Sequence, residues 1–405
     1  MKSVVILGDG MADYAVPELG GLTPLEAACH PAMDLIARHG MFGMARTVPE
    51  GMAPGSDTAN LSVFGYDPAI YHTGRSPLEA ASIGIDLAHV DVTYRCNLVT
   101  LPGLPDDEET VMADYSGGEI TTEEADVLIK YLSEHLGSEG VEFHTGTSYR
   151  HCLVLRNALT GGEQTPPHDI SGQRTSVYLP KGQNSDLLLD LMLRSYKLLR
   201  DHPINKSRIE RGLNPANCAW FWGEGRKPSL TPFAERFGVK RSAVISAVDL
   251  IQGIGICAGM DVIKVPGITG TYRTDFSAKS RAAIDALKNG YDLIYIHIEA
   301  PDECGHHYEI KEKAWSIEQI DEKVAAPILK YLRECGEDWS VLVMPDHPTP
   351  LLIMTHTGEP VPFALVRSLD MRDNGEVRFT ENEAKKTGLY IDKACGLMDL
   401  LVGIK

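Results

Sequence analysis

The chain has 405 residues, enough for two to three domains at about 150 residues each and enough to bury a core without disulfides or a structural metal. Hydrophobic residues make up 43% and charged residues 23%, an ordinary globular mix that excludes whole-chain disorder, collagen-like repeats and coiled coil. The formal charge of −18 repels nucleic-acid phosphates and anionic membrane surfaces, so neither is an expected partner, and it makes cations the expected company of a functional site. Eight cysteines without a CxxC pair form neither a zinc framework nor a disulfide scaffold. No apolar run approaches the ~18 residues of a membrane span, and the N-terminal apolar run is too short for a signal peptide. The expected setting is a reducing cytoplasm.

The first element is the apolar run Val4–Leu7, which stops at Gly8-Asp9-Gly10. Next comes Pro54-Gly55-Ser56-Asp57-Thr58-Ala59-Asn60-Leu61, where a Gly-Ser turn opens a short helical pattern ending near Gly65. Ser56 would sit at a helix N-terminus, where backbone N–H groups and the dipole attract a phosphoryl group. The alternative is that Ser56 or Asp57 is only an N-cap. Arg75, Arg95, Arg150, Arg208 and Arg211 follow. A guanidinium can grip phosphate or carboxylate with two bonds, and the alternative for each is an ordinary salt bridge.

The middle of the chain reads as a smaller α/β insertion over residues 97–245, between core segments 1–96 and 246–405. It holds a solvated acidic loop around Asp106–Glu109. A helix is expected over Glu119–Leu136 with Thr121 or Thr122 as N-cap, a strand over Tyr149–Leu155 and a helix over Asp186–Arg200. The run Ser246–Met260 is expected to be a close-packed helix where the chain re-enters the core.

Two more apolar runs end on aspartates. Asp292–Ile298 leads through Glu299-Ala300-Pro301 to Asp302, and Trp339–Met344 leads through Pro345 to Asp346-His347. Helical patterns over Ser277–Asn289 and Lys313–Glu334 precede them. Near-continuous apolar strands alternating with helices argue a doubly wound α/β fold with a mostly parallel sheet, whose ligand site lies at the carboxyl ends of the strands. Asp302 and His306 are four apart and share a helix face, and His356 follows nine residues after His347. Asp9, Asp302, Asp346, His306, His347 and His356 suffice for two divalent ions, and carboxylate with imidazole suits Zn²⁺ or Mn²⁺. Coordination would activate Ser56, a weak nucleophile on its own. His297, Glu299 and His307 are read as structural.

The ordered set Gly8-Asp9-Gly10, Gly55-Ser56-Asp57-Thr58-Ala59, Gly65-Tyr66-Asp67-Pro68, Asp302-x-x-Gly305-His306, Pro345-Asp346-His347 and His356-x-Gly358-x-Pro360-Val361-Pro362 resembles the archaeal-type cofactor-independent phosphoglycerate mutases of the alkaline phosphatase superfamily. The resemblance implies an alkaline-phosphatase-type core with an inserted substrate-binding cap that lends the arginines. It implies two divalent ions, Mn²⁺ foremost with Mg²⁺, Zn²⁺ or Co²⁺ as alternatives. One would be held by Asp302, His306 and His356, the other by Asp9, Asp346, His347 and Ser56. It further implies transfer through a phosphoserine on Ser56, interconverting 3- and 2-phosphoglycerate in glycolysis and gluconeogenesis while water is kept out. A small phosphorylated molecule is the expected partner; the oligomeric state is left open. Two stretches depart from the archaeal pattern. Asn60 stands where that pattern carries His, and Ser76-Pro77-Leu78-Glu79-Ala80-Ala81 replaces a bulky aromatic pair. They bring the chain nearer a bacterial branch proposed to supply homoserine kinase, which is the alternative activity on the same metals.

Overall fold

The computed structural model describes residues 1–404 and divides them into two compact units, residues 1–72 with 229–404 and residues 73–228. The larger unit is built on an eight-stranded sheet. Its strands run in the order Asp261–Val262, Ser242–Ile245, Leu293–Ile298, Lys2–Gly8, Trp339–Met344, Val361–Arg367, Met41–Ala45, Tyr390–Ile391. The first five are mutually parallel and Val361–Arg367 is antiparallel to both neighbours. This is the doubly wound, mostly parallel arrangement that the apolar runs imply. Lys2–Gly8, Leu293–Ile298 and Trp339–Met344 are buried at every position, which explains why each reads as an unbroken apolar run. They are also the three central neighbours, so Asp9, Asp302 and Asp346 emerge side by side at one sheet edge.

The pattern over Lys313–Glu334 predicts one helix, and the structure breaks it into Ile310–Gln319, a π-helical turn Ile320–Ala325, and Ala326–Glu334. Pro327 has no N–H for an ordinary helical bond, and the wider turn accommodates it. The same turn presents buried Asp321, whose carboxylate accepts from the N–H groups of Ala32 and Met33 at 3.1 and 2.7 Å. It thereby satisfies the open amino end of helix Pro31–His39, which lacks a side-chain cap of its own.

The smaller unit has an antiparallel four-stranded sheet in the order Val141–Thr147, Arg150–Leu155, Val92–Val99, Cys218–Gly225. Helices Thr122–Leu136 and Ser185–Leu199 pack their leucines into its own core. Thr121 is the N-cap of the first. The expected limits of the insertion, 97 and 245, shift to 73 and 228. The reason is pairing. Val92–Val99 bonds to Arg150–Leu155 and Cys218–Gly225 and so belongs to the small sheet, while Ser242–Ile245 pairs with Leu293–Ile298 in the large one. Among the described residues no helix is long and apolar enough to cross a membrane, and all eight cysteines are unpaired with one another.

Candidate active site

Asp9 leaves its strand and the chain turns at once through Gly10, which adopts a left-handed φ of +59°. A Cβ there would lie 2.5 Å from Thr349 Oγ1 and 2.7 Å from Asp302 Cα, so only glycine lets the two strand ends approach this closely. Asp302 sits in the first turn of helix Ala300–His306, and His306 closes the same helix. Ser56 is the first residue of helix Ser56–Val63; the N-cap is Gly55, which has no side chain to offer the first-turn N–H groups. The N-cap alternative for Ser56 is thereby removed.

These residues converge. Ser56 Oγ lies 3.2 Å from His347 Nε2. That nitrogen is also 3.6 Å from Asp9 Oδ1 and 3.4 Å from Asp346 Oδ2. Asp9, Asp346 and His347 have ligand-capable atoms within 4.8 Å of one another, and so do Asp302, His347 and His356. His306 Nε2 and His356 Nε2 approach to 2.9 Å, each 3.3 Å from an Asp302 oxygen. His306 Nδ1 lies 3.0 Å from the Met354 carbonyl, which marks Nδ1 as a protonated nitrogen and leaves Nε2 as the nitrogen turned toward Asp302 and His356. Two imidazole Nε2 atoms and a carboxylate converge here within 3.3 Å, and buried Asp9 Oδ1 lacks any hydrogen-bond partner, a donor set that a cation would satisfy.

The electrostatics agree. Burial pushes the Asp9 carboxyl well above its ordinary range, and the Asp346, Asp302 and Glu299 charges push the same way. Burial opposes ionisation of Asp302 too, but hydrogen bonds from His306 and His356 outweigh it and hold Asp302 well below the usual range. Burial would lower His306, yet Asp302 beside it raises it to about 9. Glu299 has Lys279 as a charge neighbour, and burial pushes that ammonium down to about 8. The donor set fits divalent cations.

His297 and Glu299, set aside in the sequence, belong to this cluster. His297 Nε2 lies 2.8 Å from Asp9 Oδ2, with Ser246 Oγ 3.1 Å from its Nδ1, and Asp9, His297 and Glu299 form a third group within 4.8 Å. The missed signal is alternation: Tyr295, His297 and Glu299 occupy every second position of an otherwise aliphatic run and so share one face. His307 is exposed, 3.9 Å from Glu303, as expected of a structural residue.

In the smaller unit, Arg75 and Arg95 each approach Glu79 at 2.8 Å. The Arg95 guanidinium lies 4.2 Å above the Trp222 ring, and Trp222 donates to Asn97 Oδ1 at 3.0 Å. Burial would raise Glu79, but Arg95 and Arg75, with Arg150 further off, hold it down. Arg208 and Arg211 are elsewhere. Arg208 is buried and donates to Glu124 and to the carbonyls of Gly117, Gly118 and Asn214, which engages four of its five N–H groups. Arg211 shares Glu124 at 2.5 Å. Both pair with Glu124 and so tie the end of helix Pro203–Glu210 to helix Thr122–Leu136.

Comparison with known proteins supplies the family. The chain is 49% identical, over the full length of both, to the 2,3-bisphosphoglycerate-independent phosphoglycerate mutase of Methanosarcina barkeri. It belongs to that mutase family. The family profile of that description matches residues 37–205. A solved structure of the PH0037 protein from Pyrococcus horikoshii superposes with a TM-score of 0.82 at 30% identity, covering 100% of this chain and 98% of the other. The cofactor-independent phosphoglycerate mutase from Thermoplasma acidophilum shares the fold, with a TM-score of 0.67, 24% identity and full coverage of both chains. The chain is thus a cofactor-independent phosphoglycerate mutase, and metal dependence and a phosphoserine intermediate fit that family. The homoserine kinase alternative receives no support.

Proposed function

We propose that Ser56 is the nucleophile that carries the phosphoryl group. Asp9, Asp346, His347 and Ser56 would hold one divalent ion, and Asp302, His306 and His356 the other. The observation that carries this reading is Ser56 Oγ at 3.2 Å from His347 Nε2, at the open amino end of a helix and beside the Asp9–Asp346 pair. Mixed carboxylate and imidazole ligands favour Mn²⁺, with Zn²⁺, Mg²⁺ and Co²⁺ as competitors. When bound, two such ions stabilise the attacking and leaving oxygens of an in-line transfer.

The chain's own groups do the rest. The positive end of helix Ser56–Val63 would favour the phosphoryl oxygens, although the Thr58 N–H is already taken by Asp57 Oδ1 at 3.0 Å. Ser56 takes the phosphoryl group from one glycerate hydroxyl and returns it to the other. We assign residues 73–228 as the substrate-binding cap, with Arg75, Arg95 and Arg150 supplying the positive charge for the substrate's carboxylate and phosphate. The same reading places the enzyme in a reducing cytoplasm, where eight cysteines persist without a disulfide among them.

The test is a ³¹P spectrum of Mn²⁺-loaded protein with 3-phosphoglycerate alone. Growth of the 2-phosphoglycerate signal is expected from the natural chain, and none from Ser56→Ala, which should retain its fold and bind Mn²⁺. Full turnover by Ser56→Ala would sink the covalent role of this serine.

A further inference from the structure

Asn60 is wholly buried one helical turn after Ser56, and every hydrogen-bonding group of its amide is engaged. Nδ2 donates to the Ser56 carbonyl at 2.9 Å and to Asp346 Oδ2 at 2.7 Å. Oδ1 accepts from the Tyr295 hydroxyl at 2.9 Å. Both Nδ2 hydrogens are used, and the reverse orientation of the amide would set its oxygen against two acceptors. Tyr295 is wholly buried, and its position is set twice. Its backbone lies opposite Val5 in the central sheet, and its ring stacks on Phe64 at 4.0 Å, the residue that ends the Ser56 helix. Asp346 is correspondingly held at both oxygens. Oδ1 accepts from the N–H groups of Gly10 and His347 at 3.1 and 2.8 Å, and Oδ2 accepts from Asn60.

We propose that Asn60 is a positioning residue that keeps the nucleophile helix in register with Asp346, and that the Tyr295 hydroxyl steadies it by holding the amide oxygen. The inference rests on the roles of Ser56 and Asp346 proposed above. The physical argument is that one amide spans the nucleophile's own backbone and a metal-ligand carboxylate. Loss of the amide frees Oδ2 to rotate away from the cation and frees the first helical turn from the strand end. Partners of this kind typically cost about 10–100-fold in metal affinity when removed.

The test is calorimetric titration of metal-stripped full-length protein with Mn²⁺, for the natural chain, Asn60→Leu and Tyr295→Phe, together with kcat and KM for 3-phosphoglycerate at saturating Mn²⁺. In Asn60→Leu one Mn²⁺ site should weaken by about 10–100-fold while the other changes by less than about twofold. Its kcat should fall with KM unchanged, because Ser56 is misplaced and the substrate cations are not. Tyr295→Phe should move both quantities the same way by a smaller factor. Unaltered Mn²⁺ affinity and kcat in Asn60→Leu, even with a lowered melting temperature, would overturn the proposal and leave Asn60 a packing residue. Should Asn60→Leu fail to fold, unaltered Mn²⁺ affinity and kcat in Tyr295→Phe would overturn it equally. Failure of the parent reading shows separately, as a natural chain that binds no Mn²⁺ or a Ser56→Ala variant that turns over.

Discussion

Replacing Gly10 by alanine tests whether the glycine after Asp9 is required by backbone conformation, by space, or by both. At φ +59° an alanine pays about 1–2 kcal/mol for left-handed backbone. Its Cβ would then stand 2.5 Å from Thr349 Oγ1 and 2.7 Å from both Asp302 Cα and Asp302 Oδ1. Thr349 cannot simply rotate away, because its hydroxyl donates to Asp302 Oδ1 at 2.5 Å, and the Asp302 Cα is backbone. Overpacking of this kind adds about 1–3 kcal/mol, for a total of about 2–5 kcal/mol. At about 2–4 °C per kcal/mol, the melting temperature should fall by roughly 5–15 °C. Gly20→Ala is the control. Its φ is +71°, but nothing lies within 4 Å of the added Cβ, so it carries only the conformational part. Thermal unfolding of both variants, with and without Mn²⁺, decides the matter. Gly10→Ala should also lose most of the stabilisation that Mn²⁺ gives the natural chain, since the displaced group is Asp302. If the two variants melt together and gain equally from Mn²⁺, the steric argument at the site is wrong.

Three further outcomes are expected. Asp13 and Lys313 form a buried pair at 2.7 Å, so Asp13→Ala and Lys313→Met should each cost about 3–5 kcal/mol in urea unfolding by stranding a charge; the double variant should cost well under their sum, and strict additivity would deny the pair any coupling. Burial raises the Glu381 carboxyl to about 7, so the folded state holds its proton more tightly than the unfolded state, whose carboxyl titrates near the ordinary value of about 4.3. Stability from this group is complete below that value and lost as pH rises through about 7. Glu381→Gln should therefore be more stable than the natural chain at pH 8, by on the order of 3 kcal/mol, and equal to it at acidic pH; a constant difference across pH would refute the assignment. Arg208→Lys should lower stability by about 2–4 kcal/mol through its unfilled buried acceptors and leave KM for 3-phosphoglycerate unchanged, whereas Arg95→Lys should raise KM. The reverse pattern in steady-state kinetics would return Arg208 to the substrate.

The proposed metal ligands were legible in the sequence because parallel strands buried on both faces can contain almost nothing but aliphatic residues. An aspartate that ends such a run marks a carboxyl-terminal strand edge, and Asp9, Asp302 and Asp346 each end one. The DxxxH spacing at Asp302 and His306 and the Gly-Ser turn at Ser56 are local patterns, carried by a few consecutive residues. His297 and Glu299 lay inside the aliphatic run itself, where a polar residue reads as an exception until its alternation with Tyr295 is noticed.

What the sequence alone determined was the fold class, the strand ends and the chemistry they carry, since these follow from periodicity and residue type over short windows. Tertiary structure alone decided the rest. The limits of the smaller unit depended on which sheet Val92–Val99 and Ser242–Ile245 join, a matter of hydrogen-bond partners more than a hundred residues apart for the first of them. Five arginines looked alike in one dimension, but Arg208 and Arg211 meet Glu124 and Arg75 and Arg95 meet Glu79. A guanidinium's role is set by the anion it finds. For Arg95, Arg208 and Arg211 that anion is fixed by packing across the fold and leaves no trace in the residues on either side; only Arg75 finds its partner four residues on.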